Sequence, residues 1–157
     1  MSVNKDYLRM AVGLARNNVV DHGGRPFGAV LVKDGQVLAT GVNEILATHD
    51  PSTHAEMQAI RAATAAQKSP RLDGCEMYAS GQPCPMCLSL MHMVGIKAAY
   101  FAASNADGEA YGMSTARIYA EMAKPIEQQS LQMSYVPVQG EGESPYEAWQ
   151  RLSQKKG

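Results

Sequence analysis

No apolar run in this 157-residue sequence comes near the roughly 20 residues that a membrane-spanning helix needs, which excludes a helical membrane protein. The opening segment MSVNKDYLRMAVGLARNN breaks its apolar residues with Lys5, Asp6 and Arg9, so it does not read as a secretion signal, and a cytoplasmic location is expected. Positive charge is not in surplus: 14 Lys and Arg against 15 Asp and Glu give a net charge of -1, which disfavours a large nucleic-acid partner. Cysteine is scarce and odd in number, three in all, and two of these sit in one Cys-x-x-Cys; this is not the framework of a secreted disulfide protein. Repeats and low-complexity tracts are missing as well. The glycines of HGGRPFG lack the Gly-x-Gly-x-x-Gly spacing before a helix, so they read as turn residues and not as a phosphate cradle.

What is present is the composition of a folded soluble domain, with 45% apolar and 18% charged residues over a length that suits one core; residues 1–157 read as a single domain. Tyr7, Met10, Ala11, Leu14 and Ala15 recur at helical spacing and predict a first helix over residues 4–20. FGAVLVKDGQVLATGVN holds two β-rich runs joined by Asp34-Gly35, a pair suited to the positive φ angles of a tight hairpin. THAEMQAIRAATAAQ, PMCLSLMHMVG, STARIYAEMA and SPYEAWQRLSQK predict further helices. CEMYAS, KAAYFAA and, more weakly, MSYVPV predict strands. Alternating helix and strand after a hairpin implies a mixed sheet between helices.

Cys84-Pro85-Met86-Cys87 alone leaves three readings open: a redox pair, half of a metal site, or packing. Pro85 suits the first position of a helix, which puts Cys84 at the cap and Cys87 one turn in, on the same face and at the positive end of the helix dipole. A second helix start, Thr53-His54-Ala55-Glu56, offers an imidazole and a carboxylate. Thr53 and Glu56 also match a capping box, in which Glu56 would only satisfy backbone donors. Taken together, the two helix starts favour chemistry: His54, Cys84 and Cys87 supply three zinc ligands and leave the fourth tetrahedral position open, the pattern of a catalytic site that acidifies water. Glu56 beside that position is the candidate proton carrier. Cys75 reads as a buried apolar residue; His22, His49 and His92 read as non-ligands, with His49 the one nearest to a substrate.

His54-Ala55-Glu56 followed by Pro83-Cys84-Pro85-Met86-Cys87 resembles the signature of the cytidine deaminase superfamily of zinc deaminases. RPFGAVLVKDG, VNEILATHDPSTHAEMQAIR, PCPMCLSLM, IYAEMAKP and SPYEAWQRLSQKK extend the resemblance to the bacterial guanine deaminase branch over nearly the whole chain. The resemblance implies a three-layer α/β/α sandwich with a five-stranded mixed sheet, and a homodimer in which a C-terminal tail, residues 140–157, crosses to the neighbouring subunit. It implies zinc bound by His54, Cys84 and Cys87, proton transfer by Glu56, a hydrogen bond from Asn43 to the base, and Phe27 lining the base pocket. The backbone N–H groups of Ala55 and Cys84 would lie near substrate. The implied activity is hydrolytic deamination of a free nucleobase or related aminated heterocycle with release of ammonia, a step of purine metabolism in the guanine case.

Three departures from that branch bear on the substrate. Gln82 stands where a carboxylate is common, Thr115 stands near the position of a substrate-contacting Asp, and the chain ends QKKG in place of an aromatic residue. Asp107 or Glu109 could replace the missing acid if the loop were shifted, or the ring could be isocytosine, cytosine, a triazine or a pterin. A tRNA adenosine deaminase is the second reading, and a Cys-x-x-Cys redox or structural protein the third.

Overall fold

The computed structural model describes residues 3–155. The chain forms two compact units, the first ending at Ala123 and the second beginning at Lys124. Among the described residues, the first holds all the strands.

Helix α1 spans Lys5–His22, with Asn4 as its cap: the Asn4 side chain accepts from the backbone N–H of Asp6. Strands β1 (Gly28–Lys33) and β2 (Gln36–Val42) form the predicted antiparallel hairpin, and Asp34 and Gly35 turn it with φ angles of 50° and 74°. A single turn, α2 (Ile45–Thr48), then leads to α3 (Ala55–Gln67). Strand β3 (Glu76–Gly81), helix α4 (Pro85–Val94), strand β4 (Ala98–Ala103) and two short helices, α5 (Asn105–Glu109) and α6 (Ala116–Met122), complete the unit. Neither α2 nor α5 was expected; each is one turn long, too short to leave a periodic signal.

The sheet order is β2-β1-β3-β4, with β1 antiparallel to both neighbours and β3 parallel to β4. Strand β1 reads apolar at consecutive positions because both of its faces are covered. Ala29 and Leu31 pack with Ala59, Ile60, Cys87 and Met91 from α3 and α4. Val30 and Val32 point the other way, into a second cluster with Ala11 of α1 and Tyr78. The two cysteine- and histidine-bearing helices therefore share one face of the sheet. Helix α3 lies very close to β2: a Cβ built on Gly41 would stand 2.1 Å from the Ala55 carbonyl oxygen and 2.7 Å from the Ala59 nitrogen.

The expected fifth strand is corrected. Among the described residues the sheet has four strands, and MSYVPV, residues 133–138, carries no strand structure. Pro137 has no N–H to donate, which leaves a short run with an incomplete ladder edge. The second unit, by itself, contains a 3₁₀ turn (Ile126–Gln128) and helix α7 (Pro145–Gln154), which opens with a capping box between Ser144 and Glu147. Among the described residues, no helix is long and apolar enough to cross a membrane.

Candidate active site

His54 and Cys84 occupy equivalent places, each the N-cap of a helix in extended conformation, at φ −69°, ψ 157° and φ −71°, ψ 167°. Pro85 takes the first helical position of α4, as its fixed φ and missing N–H favour, and this sets Cys87 one turn in. The result is that His54 Nδ1 lies 3.4 Å from Cys84 Sγ and 3.6 Å from Cys87 Sγ. Tetrahedral zinc with ordinary Zn–N and Zn–S bonds holds such atoms about 3.5 Å apart, so the spacing fits that ion. The three ligand atoms all lie within 4.8 Å of one another, and among the described residues no other group of His, Cys, Asp and Glu side chains converges in this way.

The chemistry of the donor set agrees with the spacing. A hydrogen bond from Cys87 chiefly, then one with His54, pulls the Cys84 thiol down to about 4. The interaction with Cys84 raises His54, against burial and the nearby Arg25. Cys87 is pushed up by its bond to Cys84, by burial and by Glu56. Protons here are shared among groups crowded around one centre, and a dication at that centre satisfies the same groups without them.

Glu56 does not belong to a capping box. The cap of α3 is His54, and it makes no side-chain hydrogen bond to the helix; Thr53 is engaged elsewhere, donating from Oγ1 to the Asp50 carbonyl. The Glu56 carboxyl is buried, receives a hydrogen bond from Cys87 Sγ at 3.5 Å, and has its pKa raised, chiefly by desolvation. A buried acid whose pKa is raised by desolvation, next to a metal-ligand cluster, is placed to hold and pass on a proton.

These groups open into a cavity of about 280 Å³ lined by Phe27, Asn43, His54, Glu56 and Cys84, with Arg25 and Gln82 beside them. Its remaining wall is the segment from Gly112 to Thr115, between α5 and α6. The size suits a mono- or bicyclic heterocycle. Phe27 packs over Gly81, where a Cβ would stand 3.0 Å from the ring. Asn43 is buried at the end of β2, with its Oδ1 accepting from the Ile45 N–H.

Residues 1–103 match the family of cytidine and deoxycytidylate deaminase zinc-binding regions. The chain belongs to this zinc deaminase family. Within it, the chain is 39% identical over 153 residues to guanine deaminase from Bacillus subtilis, covering 98% of this chain and 97% of that one. The solved structure of guanine deaminase from the same species superposes with a TM-score of 0.85 at 38% identity, covering 96% of this chain and 95% of that one. The tRNA-specific adenosine deaminase of Aquifex aeolicus is 33% identical over 102 residues, 64% of this chain and 67% of that one. The sequence similarity to guanine deaminase thus runs over nearly the whole of both chains, and that to the tRNA enzyme over about two thirds of each.

Of the residues singled out in the sequence, the structure brings His54, Cys84 and Cys87 together and places Glu56, Asn43 and Phe27 in the lining of the same cavity. Ala55 is fully buried and is not among the lining residues, and His49 is an exposed helix cap away from the cavity. Asp107 and Glu109 do not line it either; Asp107 is held in the capping box of α5 by Ser104. Cys75 is buried in the core.

Sequence reading missed several participants. Arg25 was read as part of a turn. Tyr119 donates its hydroxyl hydrogen bond to the Pro83 carbonyl, next to Cys84, and its pKa is raised by burial and by Cys84, Cys87 and Glu56. Asn18, buried on α1, donates from its amide to the carbonyl oxygens of Arg25 at 2.8 Å and Asn43 at 2.9 Å, tying two walls of the cavity together. An Asn at a core-facing position of an amphipathic helix was the one available signal.

Proposed function

We propose that this protein is a zinc-dependent hydrolytic deaminase of a free nucleobase or related aminated heterocycle. The observation that carries this reading is the convergence of His54, Cys84 and Cys87, with a buried, non-liganding Glu56 at the edge of a small cavity. His54 Nδ1 and the two sulfurs would hold zinc, which when bound supplies Lewis acidity at its open fourth position. Glu56 takes a proton from the attacking water as its oxygen bonds to the amino-bearing ring carbon, and delivers one to the ring nitrogen. It then carries the second water proton to the amine; the C–N bond breaks, and ammonia and the oxo product leave. Phe27 covers a face of the ring, and the Asn43 amide holds its edge. The backbone N–H groups of Ala55 and Cys84 are assigned to substrate by resemblance to the family.

Purified protein is expected to carry about one zinc per chain, and removal of zinc with a chelator is expected to abolish ammonia release, with recovery on adding zinc back. Cys84→Ser and Cys87→Ser should each lose the metal. Metal analysis and an ammonia assay check both; zinc-free protein with a readily reversible Cys84–Cys87 disulfide would instead make this a redox protein.

Guanine is the substrate class suggested by the Bacillus relative, with a role in purine metabolism in the cytoplasm, which assays on guanine and fractionation of the source cells check. We also propose a single functional domain working as a homodimer, in which residues 140–157 dock on the partner. Supporting this, Trp149 and Tyr146 of α7 are left exposed, at 73% and 86% of their surfaces. Light scattering should give twice the chain mass, and a chain ending at residue 139 should shift toward monomer; an unchanged mass on truncation would remove the tail from the interface.

A further inference from the structure

The cavity presents an unusual balance of hydrogen-bonding groups, and backbone donors fix that balance. The Ile45 N–H binds Asn43 Oδ1 at 3.1 Å, and the Asn105 N–H binds Gln82 Oε1 at 2.9 Å. In each case a backbone donor demands the oxygen, so the amide orientation is determined and the NH₂ group is the end left over. Among the described residues, neither NH₂ donates to a protein acceptor, and both residues line the cavity. Asn105 in turn accepts on Oδ1 from both the backbone N–H and the hydroxyl of Thr115, which fixes the opposite wall to Gln82.

Arg25 adds a guanidinium with donors only, and it makes no salt bridge to an acid among the described residues. Its backbone carbonyl is pinned by Asn18, so the side chain projects from a fixed point at the exposed mouth of the cavity. Against these donors, the lining side chains outside the metal-ligand cluster offer as acceptors the hydroxyl oxygens of Ser114 and Thr115 and the second lone pairs of the Asn43 and Gln82 amide oxygens, each already engaged by a backbone N–H. Among the described residues Glu56 is the only carboxylate in the lining, and the chemistry requires it. A ring edge rich in N–H groups finds few partners here; an edge rich in oxygens finds several.

We propose that Arg25 is a specificity-determining residue that, with the NH₂ groups of Asn43 and Gln82, selects an aminated heterocycle carrying a carboxylate or an equivalent anionic oxygen edge. This rests on the deaminase reading above and narrows its substrate class. The anionic group pairs with the guanidinium at the mouth, and the amino-bearing carbon sits at the metal cluster. A charge-assisted pair of this kind favours the anionic compound because the uncharged analogue gains nothing from the guanidinium, by a margin that solvent at the exposed mouth limits.

The test compares matched pairs on the zinc-loaded protein: isocytosine against 2-amino-6-oxopyrimidine-4-carboxylate, and pterin against pterin-6-carboxylate. Ammonia release gives kcat/KM, and titration calorimetry on Glu56→Gln protein gives affinity without turnover. At least one carboxylate is expected to be preferred over its neutral partner by about tenfold or more, chiefly through KM. Arg25→Gln should collapse that ratio toward one, and Arg25→Lys should retain part of it because a point charge replaces the planar fork. Equal kcat/KM and equal affinity within both pairs, or a preference that survives Arg25→Gln, would overturn the assignment while leaving the deaminase reading intact. Arg25-dependent binding of a carboxylate with no ammonia from any compound would do the reverse.

Discussion

Replacing Glu56 with Gln is expected to lower ammonia release by about 10²–10⁴-fold, the usual worth of a positioned general acid and base, and at the same time to stabilise the metal-free fold at neutral pH. The two effects have one cause. Glu56 is 5% exposed, and desolvation is the largest influence on its carboxyl, so its folded pKa stands above the ordinary 4.5. The folded state therefore keeps this proton in a window where the unfolded chain has released it. Stability contributed by the protonated form is full below about 4.5 and is lost as pH rises through the folded pKa. Gln keeps an oxygen to accept from Cys87 but cannot ionise. The variant and the parent, both treated with chelator, should unfold alike in acid, and the Gln variant should gain progressively as pH rises above that window. Urea titrations at several pH values check the sign. A variant that kept full activity would remove Glu56 from the proton path, and one that lost stability at neutral pH would show that burial does not dominate its energetics.

The parts of this site that could be read from the sequence are those set by local rules. Pro85 at a helix start places Cys84 and Cys87 on one face, and Asp34-Gly35 dictates a hairpin; both depend on a few neighbouring residues. The pairing of two helix starts into one metal-ligand cluster was legible because ligand chemistry restricts which residues can meet. The role of Glu56 was ambiguous in sequence, since Thr53 and Glu56 satisfy a capping rule on paper. Asp50 decides it by engaging Thr53 from outside the helix. Gln82 and Thr115 stood out in the sequence only as departures from a family pattern, and the hydrogen bonding of the wall they form was not legible. Gln82, Asn105 and Thr115 lie apart in sequence and meet through side-chain hydrogen bonds that no periodicity encodes. Arg25 looked like one more polar residue in a Gly-rich turn. The fifth strand failed because MSYVPV has β-rich composition but Pro137 interrupts its donors, and strand formation requires a partner as well as propensity.

Gly41→Ala is the substitution outside the cavity with the largest expected effect. One added methyl would lie 2.1 Å from the Ala55 carbonyl oxygen and 2.7 Å from the Ala59 nitrogen, both backbone atoms that no rotamer change can move aside. Relief requires α3 to lift from β2 by about 1 Å. Overpacking of this kind costs about 1–3 kcal/mol, and a misplacement of about 1 Å at a reacting centre costs on the order of a hundredfold in rate. The catalytic loss follows from which residues would move. Ala55 lies between His54 and Glu56, so both ride with α3, while Cys84 and Cys87 stay with α4. A shift of α3 alone separates the imidazole from the two sulfurs it now meets at 3.4 and 3.6 Å. Zinc affinity, measured against a competing chelator, should therefore fall together with kcat/KM, whereas simple global destabilisation would lower the unfolding midpoint and leave the folded fraction metal-tight. Gly13→Ala is the control of opposite sign: nothing lies within 4 Å of its added methyl on α1, and Ala in place of a helical Gly should stabilise by roughly 0.5–1 kcal/mol. A Gly41→Ala protein with parental zinc affinity and activity would show that α3 can move without carrying its first turn, and that the close approach at Gly41 does not position the metal ligands.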